Sequence, residues 1–186
     1  MPSNACGCSL EGFTVWLTGL PCSGKSTISI ELARCLRLLG HRVEVLDGDL
    51  VREHLSKGLG YSREDREENV RRIAYVSGLL ARNGVVVIVA AVSPFVAMRA
   101  EARRQLGRFS EVYVNCPLAE CERRDVKGMY ARARAGELLG FTGVDAPYEP
   151  PPAPDVTLDT EREGVEECVH RITRALRQQG YLATPP

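Results

Sequence analysis

Gly19-Leu20-Pro21-Cys22-Ser23-Gly24-Lys25-Ser26 is the stretch that decides the fold. It fits G-x-x-x-x-G-K-[ST] at every fixed position, the spacing of a loop that wraps phosphate in its own backbone N–H groups. The glycines permit the tight path. Lys25 reaches toward β- and γ-phosphates, and Ser26 offers a hydroxyl to Mg²⁺. Thr27 completes the ATP-binding set. The helix that follows aims its N-terminus, with unpaired N–H groups and the positive dipole end, at the anion.

The flanks have the structure this loop requires. Phe13–Thr18 is an apolar, β-branched and aromatic run that reads as a buried strand. Lys25–Leu39 has helical spacing, with Ile28, Leu32, Cys35, Leu36 and Leu39 on one stripe and Gly40 placed to stop it. Arg42–Leu46 is a second strand ending at Asp47-Gly48-Asp49. Ser62 to Asp65 resembles a capping box opening a helix to Arg82. Val85–Val92 is apolar throughout, as a central strand covered on both faces should be. Pro94 starts a helix. Glu111–Asn115 and Val156–Leu158 are further strands. Pro117–Arg124, Lys127–Ala135 and Glu163–Gln178 are helices, and the Pro-rich 147–154 segment is irregular.

Strands alternating with helices predict an α/β three-layer sandwich, a parallel sheet covered by helices on both faces. Ligands in such sheets bind beyond the carboxyl ends of the strands. That rule gathers Gly19–Ser26, Asp47–Asp49, Ser93 and Cys116–Pro117 at one edge. Asp47 and Asp49 suit Mg²⁺, or a proton from an attacking hydroxyl. The long helix carries Arg66, Asn69, Val70, Ile73, Ser77 and Leu80 on one face, an apolar stripe that turns polar where a cleft would lie. Arg123, Arg124, Lys127, Arg132 and Arg134, interleaved with Gly128 and Gly136, suit a lid closing over phosphates. The expected division is an N-terminal tail at 1–12, one domain over 13–180 with its lid at about 117–145, and a C-terminal tail at 181–186.

Composition excludes several classes. The chain has 186 residues, 44% of them hydrophobic and 26% charged, which suits one globular domain. Its 24 basic and 24 acidic side chains cancel, which argues against a dedicated nucleic-acid binder. No apolar run is long enough for a membrane helix, and Met1–Leu10 has no secretory pattern, so a cytoplasmic protein is expected. The 7 cysteines are scattered, and Cys6-Gly7-Cys8 lacks the second cluster a metal site needs. The absence of N-K-x-D disfavours a GTPase.

Taken together the segments strongly resemble adenylylsulfate (APS) kinases of the P-loop NTPase fold, from about Phe13 to Thr160. The resemblance is carried by G-L-P-C-S-G-K-S at 19–26, L-D-G-D at 46–49 and L-G-Y-S-R-E-D-R-E-E-N-V-R-R at 59–72. It continues in S-P-F at 93–95, P-L-A-E-C-E-R-R-D-V-K-G-M-Y at 117–130, A-R-A-G at 133–136 and G-F-T-G-V-D-A-P-Y-E-P-P at 140–151.

The resemblance implies transfer of the γ-phosphate of ATP, the co-substrate, to the ribose 3′-hydroxyl of APS. It places Asp49 near that hydroxyl and Arg52 on APS, with Tyr61 (often Phe in the family) stacked on adenine. Arg66 and Asn69 would bind the phosphosulfate and ribose region, with Val92 and Ser93 lining the pocket. Lys127 would reach phosphates from the lid, and Gly140 and Phe141 would close on the second adenine face. Asp49, Lys25, Ser93 and Lys127 are the expected catalytic set, and Ser26, Asp47 and Asp49 the expected Mg²⁺ set. Members are often described with a phosphoserine at the position of Ser93. The neighbouring sequence offers no base to activate it, so direct transfer with a positioning serine is expected.

The resemblance further implies a homodimer and a functional pairing with ATP sulfurylase. Leu20-Pro21-Cys22 departs from the family's small residues and suggests a thiol-sensitive loop, and Arg132 stands where a lysine is common. The rival readings are another small-molecule kinase of this fold, a non-catalytic domain that binds the phosphorylated product (PAPS), and one part of a sulfurylase–kinase fusion. The chain's limits, close to those of the domain, favour a free-standing protein.

Overall fold

The computed structural model describes residues 12–183, so Cys6, Cys8 and nearly all of the expected N-terminal tail lie outside the described residues. The elements run β1 (Thr14–Thr18), α1 (Lys25–Leu38), β2 (Arg42–Asp47), α2 (Gly48–His54), α3 (Arg63–Arg82), β3 (Val85–Ala90) and α4 (Val96–Leu106). They continue with β4 (Phe109–Asn115), α5 (Leu118–Arg124), α6 (Met129–Arg134), β5 (Val156–Asp159) and α7 (Val165–Gln178). The strands form one parallel sheet in the order β2-β3-β1-β4-β5.

Side-chain alternation in the strands creates the three layers. Val15 and Leu17 face α1 and α7, where they meet Leu32, Leu36, Ile172 and Leu176. Trp16, Val87 and Val89 face the opposite way, onto Ile73, Ala74, Met98 and Ala102 of α3 and α4. A third, smaller cluster lies under the lid, where Cys121, Tyr130 and Phe141 pack with Leu20 and Cys22. The register brings the strand ends level. Leu17 of β1 and Asp47 of β2 both pair with Ala90 of β3. The chain therefore leaves β1, β2 and β3 at one edge, which is where the phosphate loop, Asp49 and Ser93 follow.

Several boundaries differ from the sequence expectation for local reasons. β3 stops at Ala90, and the Val92 carbonyl accepts from the Thr18 hydroxyl at 2.7 Å instead of joining the ladder. A helix, α2, follows β2 directly because Asp47 caps it, accepting from the Asp49 N–H at 3.0 Å. Ser62 caps α3 as expected, accepting from the Asp65 N–H. α6 begins at Met129 because the Asp125 carboxylate accepts the Tyr130 and Ala131 N–H groups. At the other end, Tyr181 stacks on Phe13 with ring centroids 5.3 Å apart, and Leu182 is buried in the core. The packed domain therefore extends past residue 180, into what the sequence suggested was a tail.

Candidate active site

The phosphate loop is shaped by contacts on its outer side. A Cβ on Gly19 would sit 2.4 Å from the Val114 carbonyl oxygen, so only glycine fits the crossing from β1. Lys25 is buried and curls back, donating to the carbonyls of Gly19 (3.0 Å) and Leu20 (2.6 Å). Burial pulls its ammonium down to about 8. Ser26 donates to Asp47 Oδ2 at 2.7 Å, so the hydroxyl and a carboxylate converge at the mouth of the loop.

Pro21, Cys22 and Gly24 through Thr27 line a cavity of about 640 Å³. Gly19, Leu20 and Ser23 stand behind it and hold the loop's shape. The Leu20-Pro21-Cys22 stretch packs toward the lid. Leu20 and Cys22 join the lid cluster, and Tyr130 donates its hydroxyl hydrogen to the Pro21 carbonyl at 3.1 Å. Cys22 adopts a left-handed φ of 59°.

The same cavity continues to the acceptor residues. Asp49, Arg52, Tyr61, Arg66, Asn69, Val92, Ser93, Lys127, Gly140 and Phe141 all line it, as the sequence expectation grouped them. Asp49 projects from α2 and accepts from the Lys127 ammonium of the lid. That pairing holds the Lys127 pKa above its ordinary value. Tyr61 is half exposed, with the Arg52 guanidinium 4.3 Å from its ring centroid. Phe141 is buried edge-on against Tyr130.

Arg66 ties these two aromatic walls together. It donates to the Tyr61 carbonyl (2.8 Å), the Thr142 hydroxyl (2.9 Å) and the Gly140 carbonyl (2.5 Å). Its fork therefore braces the pocket in addition to any contact with an anion. Asn69 is buried, and its Oδ1 has no protein hydrogen-bond partner, which a polar ligand would supply. Ser93 is 3% exposed and accepts from the Trp16 indole N–H at 3.0 Å.

Further lining residues were missed from sequence, while Arg124 was expected only as part of the lid. Arg124, Thr160, Glu163 and Val165 line the same cavity with Thr27 and Ile28. Arg124 donates to the Thr160 carbonyl at 2.6 Å, and the Thr160 hydroxyl donates to the Ser23 carbonyl at 2.9 Å. The available signal was the strand-end rule, since Thr160 immediately follows β5.

Three comparisons bear on this geometry. The adenylylsulphate kinase family model matches residues 11–159. An adenylyl-sulfate kinase of Picosynechococcus sp. is 55% identical over 92% of this chain and 97% of its own length. A probable adenylyl-sulfate kinase of Synechocystis sp. is 56% identical over 92% of this chain and 97% of its own length. Among solved structures, the APS kinase CysC of Mycobacterium tuberculosis in complex with AMPPNP and APS superposes with a TM-score of 0.87. It shares 44% identity and covers 90% of this chain and 98% of that one.

Proposed function

The chain belongs to the adenylylsulphate kinase family, and from that premise we propose how its own residues carry the reaction. It is an ATP-dependent adenylyl-sulfate kinase, moving the γ-phosphate of ATP to the ribose 3′-hydroxyl of APS to give PAPS and ADP. The observation that carries the residue-level reading is one continuous cavity, with the phosphate loop and Asp49 on its walls and Lys127 reaching across.

ATP lies with its triphosphate in the Gly19–Thr27 loop and its base toward Arg124, Thr160 and Val165. Tyr61 and Phe141 clamp the adenine of APS, a flat ring suited to two aromatic walls. Arg52 and Asn69 bind its ribose and phosphosulfate region, Arg66 braces both walls, and Gly140, Val92 and Ser93 shape the pocket. Asp49 takes the proton as the 3′-oxygen attacks phosphorus in line. The new bond forms from that oxygen to the γ-phosphorus, the bond to the bridging oxygen breaks, and ADP leaves. Lys25 and Lys127 offset the negative charge that spreads over the transferring group.

Ser26 and Asp47, already converging at 2.7 Å, fit a hard cation held mainly by phosphate and water, with Asp49 close by on α2. Mg²⁺ there would supply charge neutralisation to the phosphates. Ser93 serves positioning and not as a nucleophile, because its hydroxyl is bonded to Trp16, an indole N–H that cannot accept a proton.

A single kinase domain with its lid at about 117–145, a homodimer, a cytoplasmic location and supply of APS by ATP sulfurylase complete the proposal. The homodimer and the sulfurylase pairing rest on the family resemblance, the lid on its basic residues and the resemblance, and the single domain and location on composition and sequence pattern. No helix among the described residues is long and apolar enough to cross a membrane. The deciding experiment is a coupled ADP-release assay with APS, AMP and adenosine as acceptors. Turnover with APS alone is expected, and equal turnover with AMP would sink the acceptor reading.

A further inference from the structure

Behind Ser93 sits a buried cluster that the chemistry above does not use. Arg99 of α4 is 2% exposed. Its Nε donates to Glu111 Oε1 at 2.7 Å, one Nη to the Ser93 carbonyl at 2.6 Å, and the other Nη to the Glu149 carbonyl at 2.7 Å. Three acceptors from three segments thus converge on one planar fork, a geometry a lysine cannot reproduce. Glu111 neutralises the charge, so the guanidinium is paired although buried.

Two of the three segments Arg99 grips are otherwise unexplained. Ser93 holds a φ of +44°, a left-handed conformation that non-glycine residues adopt only under constraint. The Pro-rich segment would be a plain connector, yet it is fastened on this side. Glu149 Oε2 accepts from the Val96 N–H, and the Glu149 N–H donates to the Pro94 carbonyl, both at 2.8 Å. Tyr148 bonds the Thr18 hydroxyl at 2.9 Å. The Ser93-Pro94 turn is therefore held from behind by a strap, with Arg99 as the bolt between them. On the other side, Trp16 fixes the Ser93 oxygen, leaving the hydroxyl hydrogen to be donated to a ligand oxygen in the cavity.

We propose that Arg99 is a positioning residue for the phosphoryl acceptor. It locks Ser93 in its left-handed conformation and so sets where the Ser93 hydroxyl meets APS. The proposal rests on the reading of Ser93 as part of the acceptor pocket. The direct acceptors of Arg99 lie on Ser93, Glu111 and Glu149, and it reaches the phosphate loop only at second hand, through Tyr148 and the Thr18 hydroxyl, so its loss should fall on APS far more than on ATP.

The test is steady-state kinetics of Arg99→Lys, Ser93→Ala and the double variant, with both substrates varied. Trp16, the single tryptophan of the chain, provides a direct optical report on the Ser93 contact. Arg99→Lys is expected to raise KM for APS about tenfold while KM for ATP stays within about twofold. Its Trp16 emission should shift in the same direction as that of Ser93→Ala. In the Ser93→Ala background the lysine change should add less than about twofold, because the two act through one contact. Equal changes in both KM values, or a tenfold effect that persists without the serine hydroxyl, would overturn the proposal.

If Ser93→Ala binds APS normally, the acceptor-pocket reading of Ser93 falls and the proposal falls with it. If Ser93→Ala weakens APS but Arg99→Lys does not, only the proposal falls. Should Arg99→Lys fail to fold, Glu149→Ala loosens the strap without touching the buried ion pair. It should raise KM for APS about threefold by the same route, and an unchanged KM there counts against the proposal.

Discussion

Lys127 and Asp49, 78 residues apart, pair across the mouth of the cleft, lid ammonium to α2 carboxylate. Both side chains are more than half exposed, so the contact is a weak latch and not a structural brace. Substrate can open it by offering Lys127 a phosphate and Asp49 a hydroxyl. Asp49→Asn keeps the shape but removes the base, and should lower kcat by about 10²–10⁴ at saturating Mg²⁺. Lys127→Ala should lower kcat/KM by about 10² with less effect on stability. Near-normal turnover of Asp49→Asn would remove it from the proton-transfer role.

The phosphate-loop lysine gives a pH signature. Burial lowers Lys25 from an ordinary 10.5 to about 8. The unfolded chain therefore holds this proton more tightly than the fold does. On this group alone, stability carries its full cost below pH 8 and recovers as pH rises toward 10.5. Bound triphosphate reverses the preference by favouring the charged form. ATP binding at pH 8.5–9 should take up a proton, and affinity at pH 9 should be about tenfold weaker than its limit well below pH 8. Calorimetry in buffers of different ionisation enthalpy reads the proton count directly, and a count of zero contradicts this account.

Arg66 holds Tyr61 to the Gly140–Thr142 loop with three donors. Arg66→Lys keeps the charge but cannot span the three acceptors. The variant should lose about 2–4 kcal/mol of stability. It should also raise KM for APS by about tenfold, because the two aromatic walls separate. A thermal melt and a KM measurement check both, and an unchanged KM for APS would show that the tie is dispensable.

Cys22 lies at the loop, partly exposed and lining the cavity. Iodoacetamide should inactivate the enzyme in the absence of nucleotide, and saturating MgATP should slow the loss by about tenfold or more through occupancy. Cys22→Ser should resist. Full activity after stoichiometric labelling of Cys22 would show that the thiol only fills space.

Direct transfer from ATP to APS makes a stereochemical statement. A chiral γ-phosphate should arrive on the product inverted, since one in-line displacement occurs. Net retention would require a phosphoenzyme and would reject the positioning role of Ser93.

Much of this was legible in the residues. The loop from Gly19 to Ser26 and the alternation of strands and helices fix a parallel α/β sheet through local chemistry and periodicity. The strand-end rule then grouped Asp49 and Ser93 with the loop. Helical spacing put Arg66 and Asn69 on one face and the basic run offered Lys127, the resemblance supplied Tyr61 and Phe141, and the fold brings all five to one cavity. Arg124 was legible only as a lid residue, and its bond to the Thr160 carbonyl was not, because it joins segments far apart in the chain and leaves no spacing to read.

The sequence by itself determined the phosphate-binding loop and the layer architecture. Each depends on residue type at short spacing. The tertiary structure decided what those residues do to one another. Asp49 meets a lid lysine, Arg66 braces two walls, Leu20 and Cys22 turn the loop's outer side into lid packing, and Arg99 bolts a Pro-rich strap to Ser93. Most of these contacts span roughly 50 or more residues, and they arise from how the sheet closes its layers. That is why Ser93, first met at the end of a strand beside the phosphate loop, acquires its partner and its strained backbone only in the folded chain.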